Sequence, residues 1–83
     1  MYEIKITKRA LKDIYLLTEK EKKKCKDIFL HVLAKNPYSG KKLKGRFIPN
    51  YSYRLNIKDR IIYEIDEKNK CIYIKRAKTH YGE

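Results

Sequence analysis

Acidic residues are scarce in this 83-residue chain: 10 aspartates and glutamates stand against 22 lysines and arginines, a formal charge of +12. So lopsided a balance repels itself, and the usual compensation is a polyanionic partner. The plain alternative is a lysine surface that is merely solvated. Long apolar runs are missing too. None approaches the roughly 20 residues of a membrane span, and no signal-peptide pattern opens the chain, so a soluble, cytoplasmic protein is expected. Cysteine is rare. Cys25 falls on the apolar stripe of a predicted helix and Cys71 opens a predicted strand, which suits small buried hydrophobes better than a disulfide. Only two histidines occur, and no Cys/His cluster has metal spacing, so neither a zinc site nor a cofactor is expected. The length suits a single domain over residues 1–83 with one modest core.

What is present is strongly patterned. Tyr2, Ile4 and Ile6 alternate with Glu3 and Lys5, as in a strand with one buried face. Thr7 is placed to cap a helix by accepting a backbone N–H, and Ala10, Leu11, Ile14, Tyr15 and Leu17 keep helical spacing behind it. Thr18-Glu19-Lys20-Glu21 has the form of a capping box. It starts a second helix whose stripe is Cys25, Ile28, Phe29, Val32 and Leu33, with the Glu21-to-Lys24 face in water. Asn36-Pro37 ends it, because proline disfavours helical geometry in the residue before it. Residues 38–49 read as a loop.

Three strands follow. Tyr51, Tyr53, Leu55 and Ile57 alternate with Ser52, Arg54 and Asn56. Arg60-Ile61-Ile62-Tyr63-Glu64-Ile65 is a more buried run, and Cys71-Ile72-Tyr73-Ile74 comes after a polar turn. The order β-α-α-β-β-β predicts an α+β domain, with a helical hairpin on one face of a small, antiparallel-rich sheet. The first strand is free to pair beside the last, and the other face is where function is sought.

From Gly40 to Arg60 seven lysines and arginines meet one acid, Asp59. Tyr51 and Tyr53 lie among them, and cations interleaved with aromatics suit single-stranded RNA. Tyr53 and Leu55, on the apolar face, read instead as core. Arg54 and Arg60 share a sheet face only if their connecting loop has an odd number of residues. Ile57-Lys58-Asp59, which would pair Asn56 with Arg60, is one such loop.

Farther on, Lys78-Thr79-His80-Tyr81 follows an apolar strand. A histidine, a tyrosine and two arginines are groups that can break an RNA phosphodiester without a metal. His80, as the side-chain type that titrates near neutrality, would be base or acid. Arg60, in the stiffer strand, would stabilise the transition state, and Arg54 would grip a phosphate as a fork. Tyr81 would stack on a base or pack on the sheet edge. Lys41, Lys42, Lys44, Arg46 and Lys78 would hold the RNA backbone. Glu64 and Asp66 read as ion-pair partners of the arginines, though Glu64 shares Arg60's face. His31, beside the second helix's stripe, reads as a surface residue.

The arginine pair, the Lys-Leu-Lys-Gly loop and the terminal His-Tyr together resemble the RelE/ParE superfamily of toxins, above all its YoeB-like and RelE-like messenger-RNA endonucleases. The stretches that carry the likeness are 53–64 and 77–81, and it extends over essentially the whole chain. It implies cleavage of mRNA on the ribosome and silencing by a cognate RelB- or YefM-like antitoxin. It also implies that Arg54, Arg60, His80 and Tyr81 form the site. YoeB-like members carry a glutamate in a Pro-Phe-Glu-Gly loop that can act as base; here the loop is Pro37-Tyr38-Ser39-Gly40, and a serine is a poor base. The RelE branch uses lysines instead, which brings in Lys41, Lys42 and Lys44. A ParE-like gyrase inhibitor and a non-catalytic RNA- or ribosome-binding module remain as alternatives.

Overall fold

The computed structural model describes residues 1–78. Five strands, β1 (Glu3–Ile6), β2 (Lys41–Lys42), β3 (Tyr51–Arg54), β4 (Arg60–Asp66) and β5 (Cys71–Arg76), form one sheet in the order β1-β5-β4-β3-β2. Between β1 and β2 come α1 (Lys8–Tyr15) and α2 (Glu19–Asp27). The α+β class and the helical hairpin are as expected, and β1 lies beside β5, to which it is parallel; the other pairs are antiparallel. The expected element order needs one correction. The segment read as a loop contains the edge strand β2, and two residues are too few to show a period.

Both helix starts are fixed by threonine. Thr7 Oγ1 accepts the Ala10 N–H at 3.2 Å and donates to the Ile74 carbonyl at 2.8 Å, so one hydroxyl caps α1 and ties it to β5. At α2 the capping box is complete: Thr18 Oγ1 accepts the Glu21 N–H, and Glu21 Oε1 accepts the Thr18 N–H, each at 3.1 Å. Such a cap stabilises a helix by about 1 kcal/mol. Past Asp27 the winding widens, and Ile28–Leu33 is π-helical, with the Ala34 N–H on the Phe29 carbonyl. Ile28, Phe29 and Leu33 are buried, while Val32 is only half-buried.

The helices set Ala10, Leu17, Cys25, Phe29 and Leu33 against Ile61, Tyr63, Ile72 and Ile74 of the sheet. Both cysteines are free and buried, as expected. The opposite sheet face is less bare than expected. Ser52 and Ile62, register neighbours of the other parity, are also buried, and Asn50 Oδ1 accepts a hydrogen bond from Lys75 Nζ at 2.9 Å. Where β5 ends, Asp13 of α1 receives Arg76 Nε at 2.7 Å and the Ala77 N–H at 3.0 Å. Burial alone would raise the Asp13 pKa, but the Arg76 guanidinium and the backbone N–H groups outweigh it and hold it below the usual carboxylate range.

Candidate anion-binding cleft

Arg54 and Arg60 are direct cross-strand partners. The connecting loop, residues 55–59, has the odd length that puts both guanidinium groups on one face. It is longer than the expected three residues, so Arg60 pairs with Arg54 and not with Asn56. β3 stops at Arg54 because Asn56 builds a turn of its own. Its Oδ1 accepts the Lys58 and Asp59 N–H groups at 2.9 and 2.7 Å, and the Leu55 and Asn56 N–H groups donate to the Asp59 carbonyl. Such local bonding competes with a ladder. Leu55 is driven into the core, and Ile57, expected on an apolar strand face, stands 95% exposed at the tip.

Both arginines line an open cleft of about 470 Å³ together with Lys41, Ser39, Gly40, Ser52, Tyr53, Lys24 and Ile28. The cleft is therefore not confined to a face the helices leave bare, since α2 and the first π-helical residue supply one wall. Lys24 is exposed, as expected, yet it also lines the cleft. The signal that finds it is its position four residues before Ile28, which puts it on the rim of the buried stripe. Ser39 and Gly40 are held by Tyr63, whose hydroxyl donates to the Pro37 carbonyl at 2.7 Å and accepts the Gly40 N–H at 3.1 Å. Burial pushes the Tyr63 pKa up to about 12, so it remains a donor. A Cβ on Gly40 would lie 2.3 Å from that hydroxyl and 2.7 Å from the Ser52 carbonyl, which explains the glycine.

Tyrosines continue outward from this point. Tyr51 stacks on Tyr63 at 5.6 Å between centroids, and Tyr38 meets Tyr51 edge-on at 5.9 Å. The Tyr38 hydroxyl donates to Glu67, which also accepts from Tyr2 at 2.7 Å and Lys70 at 2.9 Å. The hydrogen bond from Tyr38, followed by those from Lys70 and Tyr2, holds the Glu67 carboxyl down to about 2.

The remaining candidates disperse. Lys42 and Lys44 line a separate hollow with Leu43 and Phe47, shared only with Lys41. Arg46 lies over the Phe47 ring at 5.1 Å, after a turn that needs glycine because Gly45 has φ +62°. Lys78 is half-buried and acts electrostatically on Glu21. Glu64 pairs with Lys75 at 2.8 Å, and Asp66 accepts bonds from Asn69. His31 is exposed, as expected. His80 and Tyr81 lie outside the described residues. Among the described residues, no three His, Cys, Asp or Glu side chains gather as metal ligands do.

Neither a family model nor a curated protein sequence matches the chain, but solved structures do. The toxin–antitoxin complex RelBE2 of Mycobacterium tuberculosis contains a chain that superposes with a TM-score of 0.86 at 23% identity, covering 94% of this chain and 96% of that one. The YoeB–YefM complex of Staphylococcus aureus gives 0.76 at 27% identity, covering 98% and 99%. The E. coli RelBE complex gives 0.77 at 18%, covering 95% and 96%. Together with the basic cleft, these likenesses define the class: the chain has the fold of the RelE/ParE superfamily of toxins. Within that class the chain is similar to YoeB and RelE toxins.

Proposed function

We propose that this protein is the toxin of a type II toxin–antitoxin system and that it cleaves mRNA on the ribosome. The observation that carries the reading is the Arg54–Arg60 pair, two cross-strand arginines lining one cleft with Lys41 and Lys24. In the reaction a base takes the proton of a 2′-hydroxyl, whose oxygen attacks the adjacent phosphorus. The bond to the 5′-oxygen breaks and an acid protonates that leaving oxygen. A 2′,3′-cyclic phosphate and a 5′-hydroxyl result. Arg60 and Arg54 stabilise the charge growing on the phosphoryl oxygens. His80 moves the proton, with Lys41 and Lys24 as the lysines available in the cleft. Tyr81 would stack on a base. Support for His80 comes from chain connectivity. β5 runs antiparallel to β4 up to the Ile62–Arg76 pair, heading toward Arg60, and the sequence leads on from there to His80.

The partner follows from the same reading. The neighbours named above are complexes with antitoxins, and an acidic, partly disordered segment of a RelB- or YefM-like antitoxin suits a domain of charge +12. No helix among the described residues is long and apolar enough to cross a membrane. The test is primer extension on translated mRNA after induced expression. Wild type should give discrete breaks, His80→Ala about 10²–10⁴-fold fewer with RNA affinity little changed, and Arg60→Ala about 10²–10³-fold fewer. Unbroken mRNA with arrested supercoiling would instead identify a gyrase inhibitor. Equal loss of affinity in both variants, without breaks in wild type, would identify a binding module.

A further inference from the structure

Glu21 belongs to two structures at once. Oε1 closes the capping box of α2, while Oε2 accepts Asn56 Nδ2 from the β3–β4 loop at 2.7 Å. The two elements joined are the opposing walls of the cleft, since Lys24 stands one turn along α2 and the loop sets the register of Arg54 with Arg60. Asn56 is equally divided: its oxygen makes the turn and its amide reaches Glu21, with Asp59 Oδ2 at 3.3 Å. Lys78, next to the bonds that Asp13 makes at the end of β5, acts on the same carboxylate.

We propose that Glu21 and Asn56 are a pair of positioning residues, whose hydrogen bond fixes the spacing between the α2 wall and the arginine hairpin. The carboxylate touches no substrate. Its effect is on where Lys24 stands relative to Arg54 and Arg60 when a phosphodiester enters, which matters because misplacing charge by about 1 Å costs on the order of 10²-fold in rate. The inference rests on the ribonuclease reading for its catalytic consequence and on the hydrogen bond alone for its structural one.

Glu21→Gln keeps an oxygen for the Thr18 N–H, so the cap survives, but the acceptor that faced Asn56 Nδ2 becomes an amide donor and the link is lost. Asn56→Asp keeps the turn oxygen and sets a new carboxylate against Glu21 and, more distantly, Asp59. With both changes, the glutamine amide donates to the new aspartate and the link returns with reversed polarity. A purely electrostatic role moves the single variants in opposite directions, because one removes an acid near the RNA and the other adds one. A positioning role moves them the same way.

The expected result in single-turnover cleavage of mRNA on programmed ribosomes is a loss of about tenfold in the rate constant for each single variant, with the half-saturating concentration within about twofold, and recovery in the double variant to well above the Asn56→Asp level. Opposite effects of the two singles, additive losses in the double, or losses that follow thermal stability would overturn the proposal. If wild type and Arg60→Ala are equally inert toward ribosome-bound mRNA, the ribonuclease reading fails by itself. The pair is then judged by amide exchange at residues 54–60. Faster exchange in each single and restored protection in the double would sustain it, and unchanged exchange would overturn it.

Discussion

Tyr63→Phe is an isosteric change with a calculable effect. The ring stays in the core, where it is fully buried, and its stacking on Tyr51 is kept. What disappears is one oxygen that donates to the Pro37 carbonyl and accepts the Gly40 N–H. Two intramolecular hydrogen bonds contribute about 1 kcal/mol each, and a buried group left unpaired costs about 1–3 kcal/mol. The Pro37 carbonyl bond is buried and the Gly40 bond partly so, which puts the total at about 2–3 kcal/mol. For a domain of this size that is a fall in Tm of roughly 10–20 °C. Urea unfolding should show the loss as a lower midpoint with unchanged m. The same oxygen lies where a Gly40→Ala methyl would go, so Gly40→Ala should cost less in the phenylalanine background. The Ser52 carbonyl leaves some cost in both. A loss below about 0.5 kcal/mol, or strict additivity of the two changes, would refute the claim that this hydroxyl organises the 37–40 segment.

Four further outcomes follow. Asp13→Asn should destabilise the fold by about 3 kcal/mol in urea titration, because it removes the carboxylate charge from a partly buried ion pair with Arg76. In wild type the Asp13 pKa is depressed by folding, so its contribution is present above roughly pH 4 and lost as pH falls through the folded-state value; Asp13→Asn should flatten that acid limb. At the other extreme, the Tyr63 pKa is raised by folding, so its contribution holds below roughly pH 10 and is lost as pH rises through about 12; Tyr63→Phe should shift the midpoint of alkaline unfolding upward relative to its own neutral-pH stability. Binding of a single-stranded RNA should fall with salt at a log–log slope of about −4 for six phosphates, and Lys24→Ala should reduce the slope by about 0.7.

The helical hairpin was legible because its signals are local: the threonine caps, the capping box and the 3.6-residue stripe all sit within a few residues of the structure they dictate. The β1–β5 pairing was legible from element order. The end of β3 was not. Alternation through Tyr51, Tyr53, Leu55 and Ile57 continues past Arg54, and only the competing turn of Asn56 with Asp59 breaks the ladder. Parity survived that error, because a three-residue and a five-residue loop both bring the arginines to one face. Lys24 was missed for a different reason. A lysine among lysines carries no periodic mark, and its place in the cleft depends on how α2 meets β3, which is tertiary information. The run of cations from Lys41 to Arg46 looked like one surface, yet the turn at Gly45 and the Phe47 ring divide it.

The parallel pairing of β1 with β5 has a temporal consequence. Glu3 finds its neighbour only at Cys71, and Ile6 only at Ile74. During synthesis, therefore, the first strand has nothing to bond to until the last has emerged. Closing so distant a contact is slow compared with forming a local hairpin. The two arginines are made early relative to the strand that seals the sheet. A partly made chain would thus carry both arginines before the sheet that holds them is closed.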